Sequence, residues 1–169
     1  PSPVRYAERA MPAVPSPEQL TGDTEVRRLQ PRPVYLAHYE QRFATPPLLG
    51  DAEPRVVGWT RFVDPSPYDA VALAAIGDSF PPPSLGRRAD LFGSLTLDYT
   101  VHFRSTLPHP ATAAGGFVLA EMESNFAADG LVEEDGWLWA PDGTLLAQVR
   151  QLGLLLADDP GGTRTATPL

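Results

Sequence analysis

The sequence predicts an α+β fold in which one curved antiparallel sheet wraps around a single short helix. Six strand-like runs are separated by turn residues, and only residues 64–83 have the composition of a helix. Four of the strand-like runs follow this helix in succession, an order typical of antiparallel pairing. The edge strands of such a sheet need a cover, which favours pairing with a second copy or a second domain.

The predicted helix lies within DPSPYDAVALAAIGDSFPPP, residues 64–83. Ser66 is a suitable N-cap, and Pro67 suits the first helical position. The body of the helix is apolar nearly all round, which predicts that it is buried on every side. It must end before Pro81, because the three consecutive prolines lack the N–H donors that a helix requires.

Asp78 is a candidate functional residue because it falls in the last turn of this helix. The negative end of the helix dipole disfavours a carboxylate there by about 0.3–1 kcal/mol. In the alternative interpretation, Gly77 simply caps the helix and Asp78 begins a solvated loop. The residues alone leave both interpretations open.

Composition limits the classes of function. The chain has 169 residues, no cysteine and a formal net charge of −8, and all 13 basic residues are arginine. Without cysteine there is no disulfide framework and no thiol nucleophile, and an acidic balance argues against non-specific nucleic-acid binding. With neither a secretion leader nor a membrane-spanning apolar run, the sequence predicts a cytoplasmic protein with no membrane partner.

Three regions are predicted along the chain. Residues 1–33 are rich in proline and lack a period, which predicts an extended linker that lies along another surface and builds no core. Residues 34–156 form the sheet domain, and residues 157–169 are predicted to be a disordered tail. The predicted strands are 34–43, 55–63, 94–104, 116–125, 131–140 and 144–156, with a possible bulge at Gly136 in the fifth.

Two polar residues of the predicted strands are further candidates. Gln151 shares a face with Ala147 and Val149, and a buried amide requires hydrogen-bond partners. Its alternative role is a structural hydrogen bond at the sheet edge. Strict alternation places Thr96 on a polar face with Asp98 and Thr100, where an ordinary strand threonine is the simpler interpretation.

The sequence predicts no metal and no cofactor. The histidines at 38, 102 and 109 are scattered, without the spacing of metal ligands. The G-x-S-x-G elbow of serine hydrolases, the G-x-G-x-x-G fingerprint and the Walker loop are all absent.

Several blocks together carry a resemblance to a known family. The runs GWTRFVDPSPYDAVALAAIGDSFPPP, SLTLDYTVHF and WLWAPDGTLLAQVRQLGLL resemble the second half of the acyl-CoA thioesterase II (TesB-like) double-hotdog family. AMPAVPSPEQL resembles the segment that joins the two halves there, so the resemblance covers residues 11–156. It implies a hotdog fold, a sheet wrapped around one central helix. It also implies hydrolysis of fatty acyl-CoA to free CoA and a carboxylic acid, without a cofactor.

The resemblance implies that an Asp, a Ser or Thr and a Gln together hold a water molecule. The Asp that follows the helix matches Asp78, and the Gln on the last strand matches Gln151. The hydroxyl two residues before the Asp of the next strand matches Thr96, before Asp98. Because strict alternation turns Thr96 away from the helix, a β-bulge or sheet twist must bring it toward Asp78.

Members of that family carry two hotdogs in one chain, whereas this sequence holds one hotdog and the linker. The expected partners are therefore acyl-CoA and a second hotdog, supplied by a missing N-terminal half, a separate chain or a homodimer. The alternative function is a non-catalytic hotdog that binds acyl groups or supports a partner half, and a long separation between Asp78 and Gln151 would favour it. A dehydratase would need a His and acid pair near the helix, and no His lies near Asp78 in sequence.

Overall fold

The computed structural model describes residues 6–20, 33–45, 53–87, 91–158 and 164–166. One eight-stranded antiparallel sheet has the order β1-β2-β4-β6-β7-β3, with β5 paired to β6 and β8 paired to β7. The helix α1 packs against one face of this sheet, so the predicted α+β architecture is confirmed. The elements are β1 Tyr39–Thr45, β2 Arg55–Phe62, α1 Ala70–Gly77, β3 Leu91–Phe103, β4 Val118–Glu123, β5 Ala127–Ala128, β6 Leu131–Trp139, β7 Leu145–Asp158 and β8 Arg164–Ala166.

The helix is shorter than predicted at its start. Asp69 is the N-cap in place of Ser66, and its carboxylate accepts a hydrogen bond of 2.9 Å from the Ala72 N–H. The residues before it are not helical, and the Tyr68 ring is buried there in a stacked contact with Phe62. Within the described ranges, no helix is long and apolar enough to cross a membrane.

The prediction that α1 is buried on every side is wrong. Leu73, Ile76 and Gly77 are buried, whereas the side chain of Val71 is 77% exposed. An eight-residue helix lying on a sheet turns only one face toward it, so the apolar residues on the other face meet solvent or a partner.

The structure differs from the prediction at the start of β1 and at the bulge expected in β6. Val34–His38 is a turn of 3₁₀-helix, so β1 starts five residues later than predicted. Leu36 alone of that turn is buried, and this is not the alternation of a strand. No bulge occurs at Gly136, and β6 shifts register instead between Leu138 and Trp139. Gly136 serves close packing, since a Cβ there would lie 2.6 Å from Val149 Cγ2.

The end of the chain also departs from the prediction. The strand β7 runs to Asp158, and β8 pairs with it, where a disordered tail was expected. The remaining residues of that tail, 159–163 and 167–169, lie outside the described residues.

The predicted linker segment lies along the outer face of the sheet, opposite α1. The indole of Trp59 donates a hydrogen bond of 2.9 Å to the carbonyl oxygen of Pro15. The Arg9 guanidinium lies 3.4 Å from the centre of the Trp137 ring and pairs with Glu121 at 3.1 Å. Contrary to the prediction, this segment does build a core. The side chains that form this outer cluster are Val57, Trp59, Leu119, Trp137 and Trp139, with Met11, Val14 and Leu20 packed against them. Residues 1–5 and 21–32 of the predicted linker lie outside the described part.

The strand β3 contains the bulge that the resemblance required. Thr96 pairs with Gly153 and Asp98 pairs with Leu152, so Leu97 is an extra residue between two successive pairs. The extra residue reverses which side chains face the helix, because side chains alternate strictly along a strand. Thr96 faces the helix side before the bulge and Tyr99 faces it afterwards, while the side chain of Leu97 is 56% exposed.

Candidate active site

Asp78 is the C-cap of α1, and hydroxyl groups surround the helix end on which it stands. The Tyr99 hydroxyl donates a hydrogen bond of 2.7 Å to the carbonyl oxygen of Ala74. The Tyr39 hydroxyl donates one of 3.4 Å to the carbonyl oxygen of Ala75. These carbonyls belong to the last turn of α1, where backbone N–H groups do not satisfy every carbonyl oxygen. The O–H donors oppose the negative end of the helix dipole, which makes the position tolerable for a carboxylate.

Gly77 allows the helix end to approach the sheet closely. A Cβ at this position would fall inside contact distance of the Tyr99 hydroxyl oxygen and would lie 2.8 Å from Val149 Cγ1. Real Cβ atoms do not approach other heavy atoms so closely, so a larger residue would push the helix end away. Gly77 therefore sets the height of Asp78 above the sheet.

A buried amide supports the backbone that follows Asp78. The Gln41 side chain is 2% exposed, and its Nε2 donates a hydrogen bond of 3.1 Å to the carbonyl oxygen of Ser79. The Ser79 hydroxyl donates in turn to the carbonyl oxygen of Ile76 at 2.9 Å. Sequence reasoning does not single out Gln41. The signal that could have found it is an amide that alternates with Tyr39 and Phe43 on a strand.

The structure brings the three predicted site residues together. The Thr96 hydroxyl donates a hydrogen bond of 2.8 Å to Gln151 Oε1. Since this bond uses the amide oxygen, Gln151 can donate one N–H to the Asp78 carboxyl and has a second N–H as a further donor. The Asp78 side chain reaches solvent, yet burial raises the pKa of its carboxyl, and hydrogen bonding to Thr96 and Gln151 only partly opposes that rise.

A second carboxylate, not predicted from the sequence, lies beside this group. Glu134 on β6 is the paired residue of Gln151 on β7, and its side chain is 8% exposed. The Ser84 hydroxyl donates to Glu134 Oε1 at 3.5 Å. Burial raises the pKa of Glu134 to about 7, against a smaller lowering by Ser84. The signal in the sequence is the alternation of β6, which places Glu134 with Val132 and Leu138 on the apolar face.

An aromatic cleft of about 300 Å³ opens close to Asp78. Burial raises the pKa of the Tyr35 and Tyr39 hydroxyls, and the charge of Asp78 raises both further. The carboxylate is therefore within electrostatic reach of the cleft wall. Its lining residues are Tyr35, His38, Tyr39, Phe62, Asp64 and Ser66.

The described residues include no group of three or more His, Cys, Asp or Glu side chains that could hold a metal ion. The arrangement of Asp78, Thr96 and Gln151 combines a proton acceptor, a hydroxyl and an amide in one place. Such a set can hold a water molecule and accept its proton.

Residues 9–155 match the family model of the acyl-CoA thioesterase C-terminal domain. The chain belongs to this family. No significant match to a curated protein sequence is found.

Solved structures share the fold of this thioesterase domain. A hotdog-fold protein of unknown function from Alicyclobacillus acidocaldarius is 25% identical, with a TM-score of 0.73 over 92% of this chain and 58% of that one. The acyl-CoA thioesterase II TesB2 of Mycobacterium marinum is 24% identical, with a TM-score of 0.67 over 95% and 60%. A TesB protein of Mycobacterium avium subsp. paratuberculosis is 19% identical, with a TM-score of 0.58 over 90% and 56%. The thioesterase domain thus has the hotdog fold, and it spans somewhat over half the length of these relatives.

Proposed function

We propose that this thioesterase domain hydrolyses acyl-CoA to free CoA and a carboxylic acid, with a water molecule held by Asp78, Thr96 and Gln151. The observation that carries the proposal is the hydrogen bond between Thr96 and Gln151 beside the Asp78 carboxyl. Family membership supports thioester hydrolysis as the reaction class. The assignment of these three residues to the reaction rests on their chemistry and proximity.

The proposed reaction starts with removal of a proton from the bound water by the Asp78 carboxylate. The oxygen of that water attacks the thioester carbonyl carbon, and the carbonyl oxygen becomes an oxyanion. An N–H of the Gln151 amide is available to donate to this oxyanion, because Thr96 occupies the amide oxygen. Collapse of the intermediate breaks the carbon–sulfur bond. The CoA thiolate then takes up the proton that Asp78 accepted, so the carboxylate is restored.

The environment of Asp78 suits a general base. A carboxyl whose pKa is raised binds a proton more strongly than an ordinary aspartate and therefore removes one from water more readily. Burial is the cause of that rise. The carboxylate form still predominates at neutral pH as long as the pKa stays below the working pH.

The alternative function is a non-catalytic hotdog module that binds acyl groups or supports a partner half. A large separation between Asp78 and Gln151 would have favoured it. Instead, hydrogen bonds to both Thr96 and Gln151 act on the Asp78 carboxyl. This proximity favours the thioesterase.

A matched pair of threonine variants tests the proposal. We expect Thr96→Val to lower the rate of CoA release about 10- to 100-fold, because the Gln151 amide loses the hydroxyl that orients it. Thr100→Val is the control, since Thr100 lies on the same strand beyond the bulge and contacts Asp98 instead. Release of CoA thiol is measured over a panel of acyl chain lengths. Equal rates for the two variants would contradict the role of Thr96.

We also propose that a second hotdog pairs with this domain along β3. This 13-residue strand ends the sheet order, and Leu95 and Leu97 on it are 52% and 56% exposed. Long edge strands with exposed apolar side chains are sites of further pairing. The second hotdog comes from an N-terminal half, a separate chain or another copy of this chain.

For the isolated chain, we expect the partner to be a second copy. Size-exclusion chromatography with light scattering should then show a dimer for the wild type and a monomer for Leu97→Arg, because the arginine would place a charge in the pairing edge. Val71→Arg is the control, since Val71 is exposed on α1 and not on β3. A monomeric wild type would contradict self-pairing and point to a different hotdog half as the partner.

A further inference from the structure

The buried carboxyl of Glu134 has no role in the reaction proposed above. It lies on the helix-facing side of β6, directly opposite Gln151 in the β6–β7 pairing. Its side chain is 8% exposed, and the Ser84 hydroxyl donates a hydrogen bond to it at 3.5 Å. That distance makes a weak bond. A carboxyl in such a position is costly to keep, since burial without a strong partner disfavours its charged form.

Among the described residues, no positively charged group acts on the Glu134 carboxyl. Asp78 acts on it from the end of α1, and Glu133 acts from its own strand, both as negative charges. Ser84 faces it from the turn Pro83–Gly86, and Gln151 faces it from β7 as a neutral amide. Across β7, Tyr99 on β3 pairs with Gln151 and presents a neutral hydroxyl. Of the described residues that act on the Glu134 carboxyl, the charged ones therefore raise its affinity for a proton, and the others are neutral hydrogen-bond donors.

We propose that Glu134 is a positioning residue of this site, whose carboxyl is charge-coupled to Asp78 and sets how strongly Asp78 attracts a proton. The proposal rests on the proposed function, because it assigns Glu134 to the base of that reaction. Gln151 pairs with Glu134 in the β6–β7 register, and it hydrogen-bonds to Asp78 at the end of α1. The pairing of β6 with β7 therefore places Glu134 beside the amide that contacts Asp78.

The sign of the effect follows from like-charge repulsion. Two carboxyls that sense each other release their protons in two steps that belong to the pair. Below about pH 7 Glu134 is protonated, since its pKa is raised to about 7, and Asp78 ionises next to a neutral neighbour. Above that pH Glu134 becomes negative and makes a proton on Asp78 more favourable. Asp78 is then a stronger base, so hydrolysis should show a second rise near neutral pH.

The test is the titration of the Asp78 carboxyl, followed by carbon-13 NMR of the full chain. In the wild type we expect the Asp78 signal to respond in two steps, the second near pH 7. In Glu134→Gln, which keeps the shape of the side chain, we expect the second step to disappear and the first to keep its midpoint, because Asp78 ionises next to a neutral neighbour in both chains. Asp135→Asn is the control, since Asp135 is the next residue on β6 but pairs with Arg150 on the outer face. It should leave both steps in place.

A second variant guards against a Glu134→Gln chain that fails to fold. Ser84→Ala removes the hydroxyl that lowers the pKa of Glu134, so the second step should move to higher pH while the first stays. An Asp78 titration that is the same in wild type, Glu134→Gln and Ser84→Ala would overturn the proposal. So would an equal change in Asp135→Asn.

The pH dependence of CoA release separates this inference from the proposed function. Loss of the second rise in Glu134→Gln, with its retention in Asp135→Asn, supports the coupling in catalysis. Turnover with an unchanged profile in Glu134→Gln overturns the role of Glu134 and leaves the thioesterase intact. If the two carboxyls titrate together but CoA is not released at any pH, the proposed thioesterase function is refuted and only the charge coupling of Glu134 to Asp78 is supported.

Discussion

Asp78→Asn is expected to lower the rate of CoA release by about 100- to 10,000-fold, the range for loss of a positioned general base. The amide keeps the size of the side chain but cannot accept the proton of the attacking water. The same change should leave the fold as stable as before or stabilise it by about 0.3–1 kcal/mol, because it removes a negative charge from the C-terminal end of α1. Thiol release and urea unfolding measure the two effects on one sample.

Asp98→Asn is the control for this experiment. Asp98 is an exposed carboxylate on the same strand as Thr96, beyond the bulge, and contacts the Thr100 hydroxyl at 3.5 Å. Its loss should not change the rate. A rate that falls equally in both variants would point to a general charge effect, and an unchanged rate in Asp78→Asn would refute the assignment of the base. A gain in stability together with a loss of rate is the combination that a structural role of Asp78 does not produce.

Local sequence patterns identified two of the three candidate site residues. Asp78 stood out because a carboxylate ended an apolar helix, and Gln151 stood out because an amide shared a face with Ala147 and Val149. Both anomalies are local, so a pattern of period 2 or the end of a helix can reveal them. Thr96 needed more, because its orientation depends on the bulge at Leu97, and the insertion of one residue is visible only in the pairing with β7.

The features that sequence reasoning missed depend on contacts between distant segments. The helix begins at Ala70, after the N-cap Asp69, because the Tyr68 ring before it is buried against Phe62 of the preceding strand. The proline-rich start contributes to a core because the outer face of the sheet carries tryptophans that it covers. Glu134 becomes relevant only when β6 is set beside β7. The alternation of β6 predicts that Glu134 is buried, but no local period predicts contacts between distant segments, since tertiary packing decides them.

The same distinction explains why Asp78 can stand where helix physics opposes it. Hydroxyls from Tyr39 on β1 and Tyr99 on β3, the first and last strands of the sheet order, reach the helix carbonyls on the same face of the sheet. The unfavourable position is therefore made tolerable by strands that are far from α1 in sequence. A carboxylate held in this way keeps its raised affinity for a proton, and the value of that affinity depends on how closely the helix end meets the sheet.

Gly77→Ala is expected to lower both the free energy of unfolding and the rate of CoA release. In an ordinary helix this change would stabilise by about 1 kcal/mol, because alanine favours the helix. Here the new Cβ would fall inside contact distance of the Tyr99 hydroxyl oxygen and 2.8 Å from Val149 Cγ1. Overpacking of this kind costs about 1–3 kcal/mol. We expect the clash to exceed the helix preference, and the displaced helix end to carry Asp78 away from Gln151.

A double-variant cycle of Gly77→Ala and Tyr99→Phe distinguishes this steric clash from a general effect of alanine. Each variant is measured by urea unfolding and by the rate of CoA release. Tyr99→Phe removes the oxygen that the new Cβ would meet, so Gly77→Ala should cost less stability in that background than in the wild type. Gly93→Ala is the matched control, because its Cβ would meet only Leu156 Cδ1 at an ordinary 3.7 Å. Equal penalties in both backgrounds would show that the Tyr99 hydroxyl does not limit the approach of α1. A stable and fully active Gly77→Ala chain would show that the height of Asp78 above the sheet does not control the reaction.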